Sequence, residues 1–250
     1  MEMCLSDFVG VIDSGVGGLT ILQQLQNDFP ACNFVYLADS AYCPYGTRQS
    51  SEILSRVSSL VSFLQRCGVQ AVVIACNTAS VYAEILRRQF NLPIFDVIAP
   101  TCERVVSANC KRVALLATKS TVQSQIYQQK LNASGVTVIS FACSEFVPFV
   151  ESGRTDAVEC DIAVDNALRN LSRCNVDGVI LGCTHFPILR KKIAPYVCEA
   201  KIVECCTNFK PTYVCNDQLG RTLYLTTGEK EQANSAARWF GKVDFSHVNV

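Results

Sequence analysis

An α/β fold made of two like halves, each a mostly parallel sheet flanked by helices, is predicted by three observations. Short β-branched runs alternate along the chain with segments whose apolar residues recur at i, i+3 and i+4, the order that builds parallel sheets covered by helices. Most of the runs are apolar with little polar alternation, as strands buried on both faces require. The chain also repeats itself. CGVQAVVIAC (67–76) aligns with CNVDGVILGC (174–183) at an offset of 107, pairing Cys67 with Cys174 and Cys76 with Cys183. At an offset of 104, VGVIDS (9–14) pairs with VALLAT (113–118) and Pro44 falls against Pro148.

Taken in order, the first strand is FVGVI at 8–12, followed by helical spacing at Leu19, Leu22, Leu25 and Phe29. NFVYL (33–37) is the second strand, and a helix follows on Ile53, Val57, Leu60/Val61 and Leu64. AVVIA (71–75) and IFDVI (94–98) complete the first half. Ile98-Ala99-Pro100-Thr101 interrupts the rhythm, and a hinge is expected near 97–111. The second half repeats the pattern with RVALLA (112–117), VTVISF (136–141), GVILG (178–182) and KIVE (201–204), and TLYLT (222–226) adds one more strand.

The 250 residues contain 22 Lys+Arg and 22 Asp+Glu, with 49% hydrophobic and 18% charged residues. Composition excludes intrinsic disorder. Zero net charge without a basic block removes the electrostatic footprint of nucleic-acid or anionic-membrane binding, so the expected ligand is a small molecule. No apolar run approaches the roughly 20 residues that span a bilayer. The N-terminus carries Glu2 and Asp7 and lacks the basic and apolar regions of a secretory signal, so a cytoplasmic protein is expected. Cysteine is abundant at 15, but the count is odd, the residues are scattered and no C-x-x-C occurs. Neither a disulfide framework nor a structural metal site is expected, and most of the thiols read as small buried hydrophobes.

Ligands of open α/β sheets bind beyond the carboxyl ends of the strands, so the segments after each strand carry the chemistry. Asp13-Ser14-Gly15-Val16-Gly17-Gly18 lets the backbone approach a ligand ahead of a helix N-terminus. It fails the dinucleotide fingerprint, because Thr20 stands at the last glycine, and it fails the phosphate-loop pattern for want of Gly-Lys-Ser/Thr. A capped tight turn is its other reading. Ala38–Gly46, with Pro44, Tyr42 and Tyr45, reads as a loop. Cys76-Asn77-Thr78 and Cys183-Thr184-His185 each set a thiol at a strand end before polar residues, at the same point of the repeat. Paired catalysts and buried structural thiols both remain open on these residues alone. If catalytic, two facing acid/base groups suit inversion at carbon: one removes a proton from one face and the other returns a proton to the opposite face. Thiols with an ordinary pKa near ~8.5 can serve as either acid or base. With no pyridoxal-lysine signature or metal cluster, the protein would stabilise the carbanion by desolvation and preorganised hydrogen bonds.

Asp13-Ser14-Gly15 with Gly17-Gly18, Pro44-Tyr45-Gly46, Ala75-Cys76-Asn77-Thr78-Ala79 and Gly182-Cys183-Thr184-His185 together resemble the signature set of the cofactor-independent aspartate/glutamate racemases, and of bacterial glutamate racemase within them. The likeness runs from residue 8 to about 240 and includes Phe146–Glu151 and Thr226-Thr227-Gly228. The resemblance implies interconversion of L- and D-glutamate without a cofactor or metal, supplying D-glutamate for peptidoglycan. It implies two pseudo-symmetric α/β domains with the site in the cleft between them: 1–97 completed by 208–250, and 98–207. By the same resemblance, Cys76 deprotonates D-glutamate with help from Asp13, and Cys183 deprotonates L-glutamate with help from His185 and Glu151. Asp13, Ser14, Tyr45, Gly46, Asn77, Thr78, Thr121, Thr184 and His185 would bind the substrate, with a helix-start role for Glu151 and a plain N-cap for Thr121 as their other readings. A homodimer is expected, with no nucleic-acid or membrane partner.

The chain departs from the family where Glu204-Cys205-Cys206 replaces a common Asp-Ser and Phe186 a common Tyr, which bears on domain packing and the pocket rim. Met1 lies only twelve residues before Asp13, so activation by a peptidoglycan precursor through an N-terminal extension is not expected. The rival readings are a racemase or epimerase of the same superfamily acting on aspartate or a larger amino acid such as diaminopimelate, and a non-catalytic binder of acidic amino acids.

Overall fold

The computed structural model describes residues 3–211 and 219–250. Met1, Glu2 and Cys215 lie outside the described residues, as does part of the 208–250 segment. Two parallel sheets carry the chain. The first half runs β1 (Phe8–Asp13), α1 (Leu19–Asp28), β2 (Asn33–Ala38), α2 (Ser50–Arg66), β3 (Ala71–Ile74), α3 (Asn77–Ser80), α4 (Ala83–Gln89) and β4 (Ile94–Phe95). The second runs α5 (Ile98–Ser107), β5 (Arg112–Ala117), α6 (Lys119–Ser124), α7 (Ile126–Asn132), β6 (Thr137–Ala142), α8 (Phe146–Glu151), α9 (Val158–Leu168), β7 (Gly178–Gly182), α10 (Arg190–Val197) and β8 (Lys201–Glu204). The last stretch adds β9 (Thr222–Thr226), α11 (Lys230–Ala236) and β10 (Phe245–His247).

Strand order is β10-β9-β2-β1-β3-β4 in one sheet and β6-β5-β7-β8 in the other. All pairings are parallel. The repeat seen in the sequence is a repeat of register. Val9 pairs with Ala71 in the first sheet and Val113 with Gly178 in the second, the same offsets of 104 and 107 residues. The inner quartet β2-β1-β3-β4 therefore has its counterpart in β6-β5-β7-β8, and Cys76 and Cys183 follow equivalent strands.

Alternation along the strands divides the core. Ile12, Val35, Leu37, Val72 and Ile74 face α2, while Val11, Phe34, Tyr36 and Val73 face the side of α1 and α11. In the second sheet Ala114, Leu116, Val179 and Leu181 face the residues of α8, α9 and α10, and Val113, Leu115 and Ile180 face those of α5 and α7. Both faces of both sheets are covered, which accounts for runs without polar alternation.

Two features differ from the sequence expectation. The run 94–98 yields a strand of only Ile94–Phe95, because the Asp96 carboxylate accepts the backbone N–H groups of Ile98 (2.8 Å) and Ala99 (3.1 Å) and starts α5. Pro100 falls in the first turn, where a missing N–H is tolerated, so Ile98–Thr101 continues the strand-helix rhythm and no break appears there. Strand β10 was not expected, since three residues carry no usable periodicity.

Candidate active site

The carboxyl ends of β1, β3, β5 and β7 converge, and the polar segments after them meet. Asp13 ends β1 and is buried; its Oδ1 accepts the Gly15 N–H at 3.0 Å and its Oδ2 accepts the Thr184 hydroxyl, from the other half of the chain, at 3.1 Å. The glycines of this loop are required by close approach. A Cβ on Gly15 would lie 2.1 Å from a Glu151 carboxylate oxygen, and one on Gly17 would lie 2.5 Å from His185 Nδ1. The loop is seated directly on the second half, and the Val16 N–H donates to Glu151 Oε1 at 2.8 Å.

Cys76 follows β3 and is buried with its Sγ 3.9 Å from the Ser14 hydroxyl. Cys183 follows β7 and is buried with its Sγ 3.6 Å from His185 Nδ1, while Nε2 of the same ring is 2.5 Å from Glu151 Oε1. Glu151 ends α8, so the alternative that it starts a helix does not hold. It joins the imidazole to the glycine loop instead.

Burial and hydrogen bonding together set the charge states. Burial raises the Asp13 carboxyl to about 6, against the lowering effect of His185. It pushes the Cys76 thiol well up, with Asp13 and Cys183 adding to the effect, so Cys76 rests as S–H. Burial alone would lower His185, but its hydrogen bonds to Cys183 and Glu151 prevail and hold it well above the usual imidazole value. A cationic donor therefore faces one sulfur and a carboxyl group stands near the other.

The threonines form a third group. The hydroxyls of Thr78, Thr118 and Thr121 lie 2.9–3.2 Å from one another in a buried triangle spanning both halves. Thr118, not Thr121, caps α6, accepting the Thr121 N–H at 3.3 Å. The plain N-cap reading of Thr121 is thereby corrected: a cap must precede the helix, and Thr121 lies inside it. A Cβ on Gly46 would lie 2.6 Å from the Thr118 Cβ, so this glycine too is set by proximity.

Tyr45 and Asn77 are placed differently from the rest. The Tyr45 hydroxyl donates to Asp39 at 2.5 Å, and Asp39 in turn takes a two-pronged contact from Arg56 and the Thr227 hydroxyl. The Tyr45 hydroxyl is thereby engaged within the fold. The Asn77 carboxamide is held by Tyr127 and Cys205.

Thr118 was missed in the sequence although the repeat pairs it with Ser14. Tyr36, whose hydroxyl donates to the Gly15 carbonyl at 2.6 Å, lies in a run whose composition signals only a strand. Cys43 was also passed over: it lines, with Ser40, Pro44, Pro148, Glu151 and Glu231, a cavity of about 650 Å³ that reaches Glu151. Its thiol is held protonated by burial and by the nearby Glu151 and Asp13 carboxyls. Among the described residues no group of three or more His, Cys, Asp or Glu is arranged to hold a metal ion, and no helix is long and apolar enough to cross a membrane.

Two buried thiols at the ends of equivalent strands, each beside its own polar neighbour, suit proton exchange at an acidic carbon. The Asp/Glu/Hydantoin racemase family model matches residues 18–207. A glutamate racemase of Aquifex pyrophilus is 38% identical over 198 residues, covering 78% of this chain and 78% of that protein. The crystal structure of a glutamate racemase isoform from Bacillus anthracis superposes with a TM-score of 0.88 at 27% identity, covering 100% of this chain and 99% of that one. That of the Francisella tularensis glutamate racemase, in complex with D-glutamate, gives 0.85 at 26% identity, covering 98% of each chain.

Proposed function

Because this chain belongs to the Asp/Glu/Hydantoin racemase family, we propose that it interconverts L- and D-glutamate by a two-base mechanism needing no cofactor, and so supplies D-glutamate for peptidoglycan. One observation carries the mechanism: Cys76 and Cys183 stand at equivalent points of the four-stranded unit that the two sheets share. With L-glutamate, the Cys183 sulfur takes the Cα proton, the electron pair stays on the α-carbon and its carboxylate, and the Cys76 S–H delivers a proton to the opposite face. With D-glutamate the roles reverse. His185, held by Glu151, serves Cys183; Asp13 serves Cys76. Backbone and hydroxyl donors at Ser14, Gly46, Thr78, Thr121 and Thr184, with Tyr45 and Asn77 through their backbone N–H groups, bind the carboxylates and the amine and stabilise the developing charge among buried side chains.

The division into 1–97 with 208–250 and 98–207 fits this chemistry, each unit bringing one thiol. The reaction needs only a small-molecule substrate, and we place the protein in the cytoplasm as a homodimer, which light scattering on the purified chain tests.

Racemisation of L-glutamate with no added cofactor is expected, and it should survive dialysis against a chelator and removal of pyridoxal phosphate. Cys76→Ser and Cys183→Ser should each lower turnover by ~10²–10⁴-fold. The enantiomers have equal free energy, so kcat/KM must fall alike in both directions, and the asymmetry belongs to proton exchange. Cys183→Ser should wash the Cα proton of D-glutamate into deuterated solvent faster than that of L-glutamate, and Cys76→Ser should do the reverse. Near-normal turnover by either variant would show that the assignment of that thiol is wrong.

A further inference from the structure

Glu204-Cys205-Cys206, where the chain departs from the family, leads to a chain of hydrogen bonds that the two-thiol scheme leaves unused. The Cys205 thiol is buried directly after β8 and sits 3.1 Å from the Leu181 carbonyl, which lies two residues before Cys183 on β7. Asn77, the residue after Cys76, donates its Nδ2 to the same sulfur at 3.3 Å. The Tyr127 hydroxyl donates to Asn77 Oδ1 at 2.6 Å. Cys205 Sγ is also 3.4 Å from Asn77 Oδ1, but a thiol has one proton, the Leu181 carbonyl is closer, and Oδ1 already holds the Tyr127 proton. The donors therefore order in one direction: Tyr127 O–H to Asn77 Oδ1, Asn77 Nδ2–H to Cys205 Sγ, Cys205 S–H to the Leu181 carbonyl. All three side chains are fully or nearly fully buried, so water cannot replace a lost member.

Accordingly, we infer that Cys205 is a positioning residue for racemisation: its thiol ties the residue beside one acid/base cysteine to the strand that carries the other and sets their separation across the substrate. The inference rests on the two-thiol reading above. Burial pushes the Cys205 thiol up to about 11, so the S–H donor persists at neutral pH. Cys205 also packs in the core of the first sheet while following the last strand of the second, so it stands where the chain crosses from one to the other. Serine keeps a donor and an acceptor at this point and alanine keeps neither.

Because reacting groups must be held to a fraction of an ångström, loosening the tie should act on the chemical step more than on substrate binding. Cys205→Ala is expected to lower kcat by about ten-fold or more with KM changed less than about three-fold, and Cys205→Ser to restore most of the loss. Cα-proton washout from D- and L-glutamate should fall by the same factor, unlike the one-sided losses expected for Cys76→Ser and Cys183→Ser. A role confined to stability would lower the melting temperature and leave kcat per folded molecule and the washout unchanged, which would overturn the proposal. Should Cys205→Ala fail to fold, Tyr127→Phe removes the other end of the chain, and an unchanged kcat there would equally overturn it. The unsubstituted protein is assayed alongside. No turnover of glutamate by it sinks the racemase reading and this inference together, whereas turnover that Cys205→Ala and Tyr127→Phe leave intact sinks this inference alone.

Discussion

Asp13 is a buried carboxyl group, held by one backbone N–H and one threonine hydroxyl. Burial raises its pKa from 3.8 to about 6, so the folded protein binds its proton more tightly than the unfolded chain does. The sign follows from linkage: stability associated with this group is fully present below about pH 4 and is lost as pH rises through about 6. Asp13→Asn removes the titration. The stability of that variant relative to the parent is expected to rise by about 2–3 kcal/mol between pH 4 and pH 7. Urea unfolding at several pH values reads this directly, and a difference that does not change with pH would show that Asp13 is not held as described. Racemisation should be lost in the same variant, since the carboxyl group that assists Cys76 is then replaced by an amide that does not titrate.

The β1–α1 loop is an element whose shape is dictated by what it rests on. Gly15 and Gly17 are needed because Glu151 and His185 occupy the space a Cβ would take. Gly17→Ala would place a methyl group 2.5–2.7 Å from His185 Nδ1 and Cε1 and from the Thr184 hydroxyl. Relief requires the imidazole to swing away from Cys183, 3.6 Å distant. A fall in kcat of about 10–100-fold is expected, with glutamate still bound, because misplacement by 1 Å is enough to cost about that much. Steady-state kinetics tests it, and an unaltered kcat would mean that the loop yields instead of the histidine. Gly135 offers the contrast, since nothing lies within 4 Å of a Cβ added there, although its φ of +75° still favours glycine.

At the scale of the molecule, the two halves share an inner quartet of strands and differ at one edge. Strands β9 and β10 extend the first sheet beyond β2, and Leu225, Ala233, Ala236, Ala237 and Phe245 of the last segment enter its cores. Arg238 reaches across to the Gly153 carbonyl of the other half. Without residues 222–250, Val35, Tyr36 and Leu37 on β2 would lose their neighbouring strand, and apolar surface would open on both faces of the first sheet. A chain ending at residue 219 is therefore expected to lose cooperative unfolding by circular dichroism as well as all racemase activity. Retention of a sharp transition would show that the inner quartet is enough.

The sequence by itself determined the alternation of strand and helix, the repeat and the strand ends that bear Cys76 and Cys183. These rest on local periodicity and on composition, which a short window of residues carries in full. It could not show β10, the two-residue length of β4 or the helix beginning at Ile98, where pairing partners and one carboxylate at Asp96 outweigh local preference. Of the polar groups, the resemblance pairs His185 with Glu151 at Cys183 and sets Asp13 at Cys76, but the contacts that join Asp13 to Thr184 and Glu151 to the glycine loop span 171 and 135 positions of the chain. Tyr45 shows the limit most plainly: the resemblance places it among the substrate-binding residues, and only packing against Asp39 and Arg56 decides that its hydroxyl serves the fold. Cys205 began as a departure from a pattern; its partners at Asn77, Tyr127 and Leu181 come from three other elements. Contacts of this kind depend on distances through space, set when the carboxyl ends of the two sheets are brought together, and no spacing along the chain encodes them.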